Sequence, residues 1–352
     1  MNSSGASCSD QESKEDQQGG VFAVITWRPI LLAFGLCFVA GAAGAAEPTL
    51  LRINTFPTAR SLPFYAGLAK GIFAKRDLKI ELEFTESSQN QRDGLSAGTF
   101  QIVHSAVDNA LAMIDVAGKD VVIVTGGDSG TNEFYVQNYV KSFADVRGHA
   151  LVVDAPNTAY ALQAKKLLLQ HGLKDGTDYA VKSVGNGSLR LKAMAQDKEN
   201  AAAILNLPFS VQAESTGMRS LGRTTDLLGP YQAGGAFVMR AWAQANAAVL
   251  ERYIAAYVES LRWALAPANH AEAVAMLVEN LKLSPDMAER TYRLIAEPSF
   301  GFAPDAKFNL EGFRNVLALR AEIEAKGASP PPPDRYIDLS YYERAMKLVD
   351  TR

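Results

Sequence analysis

The chain has 352 residues, 48% hydrophobic and 21% charged, with a formal net charge of −3. That balance excludes a disordered or collagen-like chain, and the scattered Lys and Arg give no electrostatic footprint for nucleic acid. Both cysteines, Cys8 and Cys37, precede residue 47, which excludes a cysteine-built zinc site or a disulfide framework in the body of the chain.

Residues 30–46 carry no charge, follow Arg28 and end in Ala42-Ala43-Gly44-Ala45-Ala46. Small residues at alternate positions fit a signal-peptidase site, with cleavage before Ala46 or Glu47. A membrane anchor is the alternative, but the run is short of the roughly 20 apolar residues a bilayer needs. Residues 1–20 are acidic where a signal wants positive charge, so 1–46 reads as a signal peptide with an extended N-terminus, or as a start placed too far upstream. Removal leaves a nearly neutral chain without cysteine, suited to an oxidising compartment. The expected location is periplasmic.

The pattern predicts a strand over 49–54, a helix over 62–73 and, from alternating charged and apolar residues, a strand over 79–84. A helix over 89–98, a strand over 101–105, a helix over 108–116 and an apolar strand over 120–125 follow. The alternation then repeats: strand 149–153, helix 158–171, strand 178–184, helix 189–197, strand 200–205. Strands alternating with helices predict an α/β fold with parallel pairs. Beyond a strand at 235–239 the chain reads as helices over 246–265, 271–281, 284–295, 310–326 and 338–349. Ser284-Pro285 supplies an N-cap and a proline at the first helical position. The proline run 330–333 reads as a stiff docking strap.

Two segments carry a family likeness. Leu62-Pro63-Phe64-Tyr65-Ala66-Gly67-Leu68-Ala69-Lys70-Gly71-Ile72-Phe73, followed by Leu78-Lys79-Ile80-Glu81-Leu82, resembles the substrate-binding proteins of nitrate, sulfonate and thiamine-precursor ABC importers. Gly94 to Ile102 is similar to the family's next turn, with Gln101 where Asp is usual, and Asp154 to Tyr160 looks like the turn that opens the second lobe. The resemblance implies an α/β type II periplasmic binding protein fold: two α/β lobes joined by two crossover segments, with the ligand cleft between them. It divides the chain into lobe 1 at 47–142, lobe 2 at 143–232 and a return to lobe 1 at 233–352, with crossings near 139–146 and 229–235. The implied partners are a small-molecule ligand and an inner-membrane ABC permease, with no nucleic acid and a monomeric state. Related enzymes on the same fold, of thiamine-pyrimidine or menaquinone-pathway type, and a periplasmic sensor partner are the alternatives.

No phosphate-loop, zinc-protease, nucleophile-elbow or dinucleotide motif occurs, so no catalytic residue, metal or cofactor is expected. Ligands of open α/β sheets sit beyond the carboxyl ends of strands. That rule selects the turns 56–61, 87–90, 104–109, 154–158 and 185–188. The candidate ligand-binding residues are Thr58, Arg60, Ser87, Ser88, His104, Ser105, Asn109, Asp154, Asn157, Thr158, Asn186 and Tyr231. Free N–H groups at helix starts suit an anionic or oxygen-rich group. Arg60 could pair with a carboxylate or sulfonate, His104 could donate to a ligand oxygen, and Asp108 could be no more than a helix cap. Tyr160, Phe209 and Tyr231 could line the pocket. The same Ser, Asn and Asp residues could equally be capping their helices.

Overall fold

The computed structural model describes residues 47–324 and 329–350, so the predicted signal segment lies outside the described residues. The first stretch alternates β1 (Thr49–Thr55), α1 (Leu62–Ala69), β2 (Leu78–Phe84), α2 (Ser88–Ala97), β3 (Ile102–Ala106), α3 (Val107–Asp115) and β4 (Val121–Thr125). The second contains β5 (Glu133–Val136), β6 (Ala150–Val153), α4 (Ala159–Gln170), β7 (Ala180–Ser183), α5 (Gly187–Gln196), β8 (Asn200–Leu205), α6 (Phe209–Ser215), β9 (Arg219–Arg223) and α7 (Thr224–Leu228). The last comprises β10 (Gly234–Met239), α8 (Arg240–Ala245), α9 (Ala247–Leu265), α10 (His270–Leu281), α11 (Pro285–Ile295), α12 (Leu310–Ile323) and α13 (Ser340–Asp350).

Two five-stranded sheets result, ordered β2-β1-β3-β10-β4 and β7-β6-β8-β5-β9. In the first, β1 runs parallel to β2 and β3, while β10 is antiparallel to β3 and β4. In the second, β6 runs parallel to β7 and β8, while β5 is antiparallel to β8 and β9. The reversed strand of each sheet is the one the chain enters directly on crossing from the other lobe. Because Gly234 pairs with Ala106, β10 begins where β3 ends. The return crossover therefore lies at the carboxyl edge of the first sheet, the edge where ligands of such sheets sit.

The crossings occur at 126–132 and 229–233. The first precedes the 139–146 segment expected from the sequence, because Glu133–Val136 already pairs in the second sheet. Four residues after a glycine-rich run gave too short a pattern to read as a strand. The strand β9 and the short helices α6, α7 and α8 were missed for the same reason. The helix expected over 62–73 closes at Ala69, and Gly71 with φ +63 turns the chain toward β2. The segment that follows the proline run, not the run itself, docks by main-chain pairing on the outer edge of β4: Ile123 N–H donates to the Tyr336 carbonyl at 2.9 Å, and Asp338 N–H donates to the Ile123 carbonyl at 2.9 Å. It covers an edge that would otherwise be open to pairing.

Helices pack on both faces of the first sheet. On one face, α9 presents Leu250, Tyr253, Ile254, Tyr257, Val258 and Leu261, a helical stripe buried against α1 and β1. A Cβ on Gly67 would lie 2.4 Å from the Phe73 ring and 2.3 Å from Ser260 Oγ, so only glycine lets α1 approach α9 this closely. Trp242 and Trp263 pack partly buried against this cluster. On the other face, Phe313, Val316 and Leu317 of α12 join Val103, Val107 and Phe237.

Candidate ligand-binding site

A cavity of about 260 Å³ lies between the two sheets. The first lobe contributes the ends of β1 and β3, the start of α2, and Tyr257 of α9. The second contributes the turn after β6, the start of α5 and Asn206 after β8. Backbone from both crossovers, at Gly127 and Asp128 and beside Gly234, completes the wall.

Ten of the twelve candidate residues line this space: Thr58, Arg60, Ser87, Ser88, His104, Ser105, Asn109, Asp154, Thr158 and Asn186. Two do not. Tyr231 is buried in the return crossover with its hydroxyl donating to Asp108 Oδ2 at 3.0 Å, and it borders a shallow groove outside the cleft. Asn157 faces a separate surface pocket beside α2 and α3, and its carbonyl accepts from Arg320 at 3.2 Å. Phe209 also misses the cavity, its ring lying against Gly187.

Several lining residues already have structural work. Ser87 Oγ accepts from Asn90 N–H at 3.3 Å, Thr158 Oγ1 from Ala161 N–H at 3.5 Å, and Asn186 Oδ1 from Leu189 N–H at 3.1 Å. These side chains cap α2, α4 and α5, aiming three helix N-termini at the cleft. Capping of this kind contributes about 1 kcal/mol. Asn186→Ala should lower stability by about that amount in urea unfolding, and an unchanged midpoint would show the cap to be idle. Asp108 is not the cap of α3, which starts after Ala106. It sits in the first turn, buried, bonded to Tyr231 and Arg320.

Arg60 is committed to the protein. Its Nη2 donates to the Gly130 carbonyl at 2.6 Å and pairs with Asp128 Oδ1 at 2.9 Å, while its Nε is buried without a partner among the described residues. Burial works against the charged guanidinium, but Asp128, Tyr160 and Tyr257 together outweigh it and the net shift is upward. Asp128 is itself raised by burial, with Arg60 opposing. His104 is enclosed by aromatics: Phe64 edge-on at 4.9 Å, Tyr257 at 4.4 Å, and the Tyr253 hydroxyl 2.7 Å from Nε2. Burial lowers its pKa to about 3, so it is a neutral wall at physiological pH. Asn109 donates to Ser105 Oγ at 2.9 Å and to Ser88 Oγ at 3.4 Å, and accepts from Arg92 at 3.0 Å.

Sequence reasoning missed Arg92, Asp128, Arg190, Asn206 and Tyr257. Asn206 follows the carboxyl end of β8, so the rule that selected the other turns applied to it equally. Arg190 sits in the first turn of α5, and helical side chains lean toward the N-terminus, which carries it back to the cleft. Its Nε donates to the Ile204 carbonyl at 3.1 Å, its Nη1 to the Gly185 carbonyl at 3.0 Å, and its guanidinium lies 4.3 Å over the Tyr160 ring. Asp154 accepts from the Thr158 hydroxyl, and burial raises its pKa against the charge of Arg190. Among the described residues, no group of three or more His, Cys, Asp or Glu side chains is placed to hold a metal ion.

A family model, that of the NMT1-like family, matches residues 44–278, a span holding both sheets and both crossovers. The chain belongs to the NMT1-like family. No curated protein matches it in sequence. Solved structures share the fold of this NMT1-like chain. A Bordetella bronchiseptica RB50 protein superposes with a TM-score of 0.74 at 19% identity, over 86% of this chain and 99% of that one. The periplasmic nitrate-binding protein NrtA from Synechocystis PCC 6803 gives 0.71 at 14% identity, over 87% and 90%. The alkanesulfonate-binding protein SsuA from Xanthomonas axonopodis pv. citri, bound to MOPS, gives 0.67 at 18% identity, over 83% and 97%. At such identities the likeness is one of fold, the periplasmic binding protein fold.

Proposed function

We propose that this NMT1-like protein is an exported solute-binding protein that captures a small organic molecule between its lobes and delivers it to an ABC permease. The observation that carries the reading is the interlobe cavity. Its walls come from both sheets, three capped helix N-termini face it, and both crossovers pass along it, so bending at 126–132 and 229–233 would open and shut it. Ligand that touches both lobes favours the shut form by its differential affinity. Ion pairs bridge the lobes outside the cleft: Arg223 to Glu297 at 2.7 Å, Lys166 to Glu322, and Arg290 to Glu214. Among the described residues no helix is long and apolar enough to cross a membrane. An extracytoplasmic, monomeric carrier fits this reading.

The test uses protein purified from the extracytoplasmic fraction. Native mass spectrometry should find a bound small molecule. Re-adding it at about 100 times its Kd should stabilise the protein by about 2.7 kcal/mol, and small-angle scattering should show the particle contracting. The molecule should be recovered unchanged. Its conversion to a product would replace this reading with an enzymatic one, and an intracellular location would remove the carrier role.

A further inference from the structure

Two hollows of this molecule share a wall. Gln89 and Arg92 line the interlobe cavity, and they also line a surface pocket of about 430 Å³ bounded by α2, the end of α3 and Asn157 of the second lobe. Among the described residues no other residue lines both. The two stand three apart on α2 and are neighbours on one helix face. A chain of hydrogen bonds crosses the wall from inside to outside. Arg92 donates from Nη1 to Asn109 Oδ1 at 3.0 Å and from Nη2 to Gln89 Oε1 at 2.7 Å, and Gln89 Nε2 donates to Asp93 Oδ1 at 2.8 Å. Asn109 lines only the cavity, and Asp93 only the surface pocket.

The wall is a bar of side chains on a fixed backbone. Ser87 caps α2, the buried Gln91 donates to Asn54 Oδ1 at 2.9 Å, and Gly94 lies against the Phe100 ring. The bar itself is loose: Gln89 and Asp93 are exposed, and Arg92 is half-buried. All four members of the chain belong to the first lobe, so they part without any rotation of the second. Hydrogen bonds open to water contribute about 0.5–1.5 kcal/mol each, and up to about 3 kcal/mol where one partner is charged. Exposed side chains change rotamer in picoseconds to nanoseconds. Parting the lobes works against more. Three ion pairs bridge them, and Ala159 and Leu162 of α4 share an apolar cluster with Phe313 and Val316 of α12. Domain rotations take microseconds to milliseconds. Just before Gln89 the lobes already meet, since a Cβ on Gly185 would lie 3.8 Å from the Glu86 carbonyl oxygen.

We propose that the surface pocket is a vestibule of the cleft and that Arg92 and Gln89 form its inner door, through which small solutes enter and leave while the lobes stay together. This rests on the solute-binding reading and adds the route to its site. Arg92, Lys119 and Asp93 line the vestibule beside Met113 and Val116, so it takes a small polar solute with an apolar part. Arg92 and Gln89 set the cross-section that is admitted, a selection by size made before any contact inside the cavity.

The chain has no cysteine after Cys37. With Cys8→Ser and Cys37→Ser in place, Ser105→Cys puts a single reporter thiol on the cavity wall. Its labelling by methyl methanethiosulfonate, a small neutral reagent, is followed by mass spectrometry, with small-angle scattering on the same ligand-free samples. Gln89→Ala with Arg92→Ala should raise the labelling rate by about 10-fold or more at an unchanged radius of gyration. Loss of a nearby cation would by itself raise the thiol pKa and slow labelling, so acceleration reports access. Val116 is 72% exposed, and Val116→Trp should fill part of the vestibule and slow labelling severalfold. Lys166→Ala with Arg290→Ala, which loosens the lobes, should leave the rate nearly unchanged. Acceleration by the loosened lobes and not by the door variant would overturn the door. So would a door variant whose particle expands, or a rate that no variant changes. If the double door variant fails to fold, Val116→Trp decides alone. A failed door leaves solute capture standing, with entry through parted lobes. Capture itself falls only if no molecule co-purifies and no ligand contracts the particle.

Discussion

Replacing Arg320 by glutamine is expected to lower stability by about 3–5 kcal/mol, the usual cost of stranding one partner of a buried ion pair. Arg320 reaches from α12 to Asp108 Oδ1 at 3.2 Å, to the Asn157 carbonyl at 3.2 Å and to Glu324 at 2.7 Å. Asp108 is 1% exposed, and its other oxygen accepts from Tyr231. One guanidinium thus ties α3, α12, the return crossover and the loop that carries Asp154 and Thr158. Without it, Asp108 keeps a single side-chain donor in a dry setting.

Burial already raises the Asp108 pKa, with Arg320 acting against that rise. A carboxyl raised on folding contributes most below its unfolded pKa, and the contribution is lost as pH climbs through the folded value. Arg320→Gln lets the folded value climb further, so the variant's deficit should be larger at pH 7 than at pH 4. Urea unfolding at the two values measures this. Asp108→Asn combined with Arg320→Gln should recover part of the loss. A deficit under 1 kcal/mol, or one independent of pH, would mean that the triad is not a stabilising knot.

His104 should dominate the acid sensitivity of the first lobe. Its pKa falls from 6.5 to about 3 on burial. A histidine depressed by folding contributes stability above its unfolded pKa and loses it as pH drops toward the folded one. From pH 6.5 to pH 4 that loss amounts to about 3 kcal/mol at 1.36 kcal/mol per unit. Asp108, Asp128 and Asp154 are raised by burial and act in the opposite sense. The total slope mixes these contributions, so the comparison with His104→Gln isolates the histidine. Glutamine keeps a partner for the Tyr253 hydroxyl and does not titrate. Between pH 6.5 and pH 4 the wild type should lose at least 2 kcal/mol more than the variant in denaturant titrations, and parallel slopes would refute the buried neutral imidazole.

Local chemistry made much of this legible beforehand. The motif from Leu62 to Phe73 marked the first helix and the family, and turns such as 87–90 and 185–188 were selected because each follows a strand and starts a helix. Ser87, Thr158 and Asn186 could be named because capping and cleft lining use the same residue types at the same place. Arg60 and His104 line the cavity, but their partners were not visible in the sequence. Arg60 answers Asp128, two residues of opposite charge 68 positions apart, and His104 is closed in by rings from α1 and α9. Tyr231 and Asn157 show the converse: polar types at plausible turns, of which one bonds to Asp108 and the other borders a separate surface pocket.

The sequence by itself determined the α/β alternation, the order of the longer strands and helices, and the family. These follow from periodicity and turn chemistry, which act over a few residues. Only the tertiary structure decided that β5 belongs to the second sheet, that the first crossing is therefore at 126–132, and that Arg60 pairs with Asp128 while Arg190 is held by the Ile204 and Gly185 carbonyls. Pairing partners and charge partners lie tens to hundreds of residues apart, and no local pattern specifies which of many compatible groups will meet once both sheets have formed.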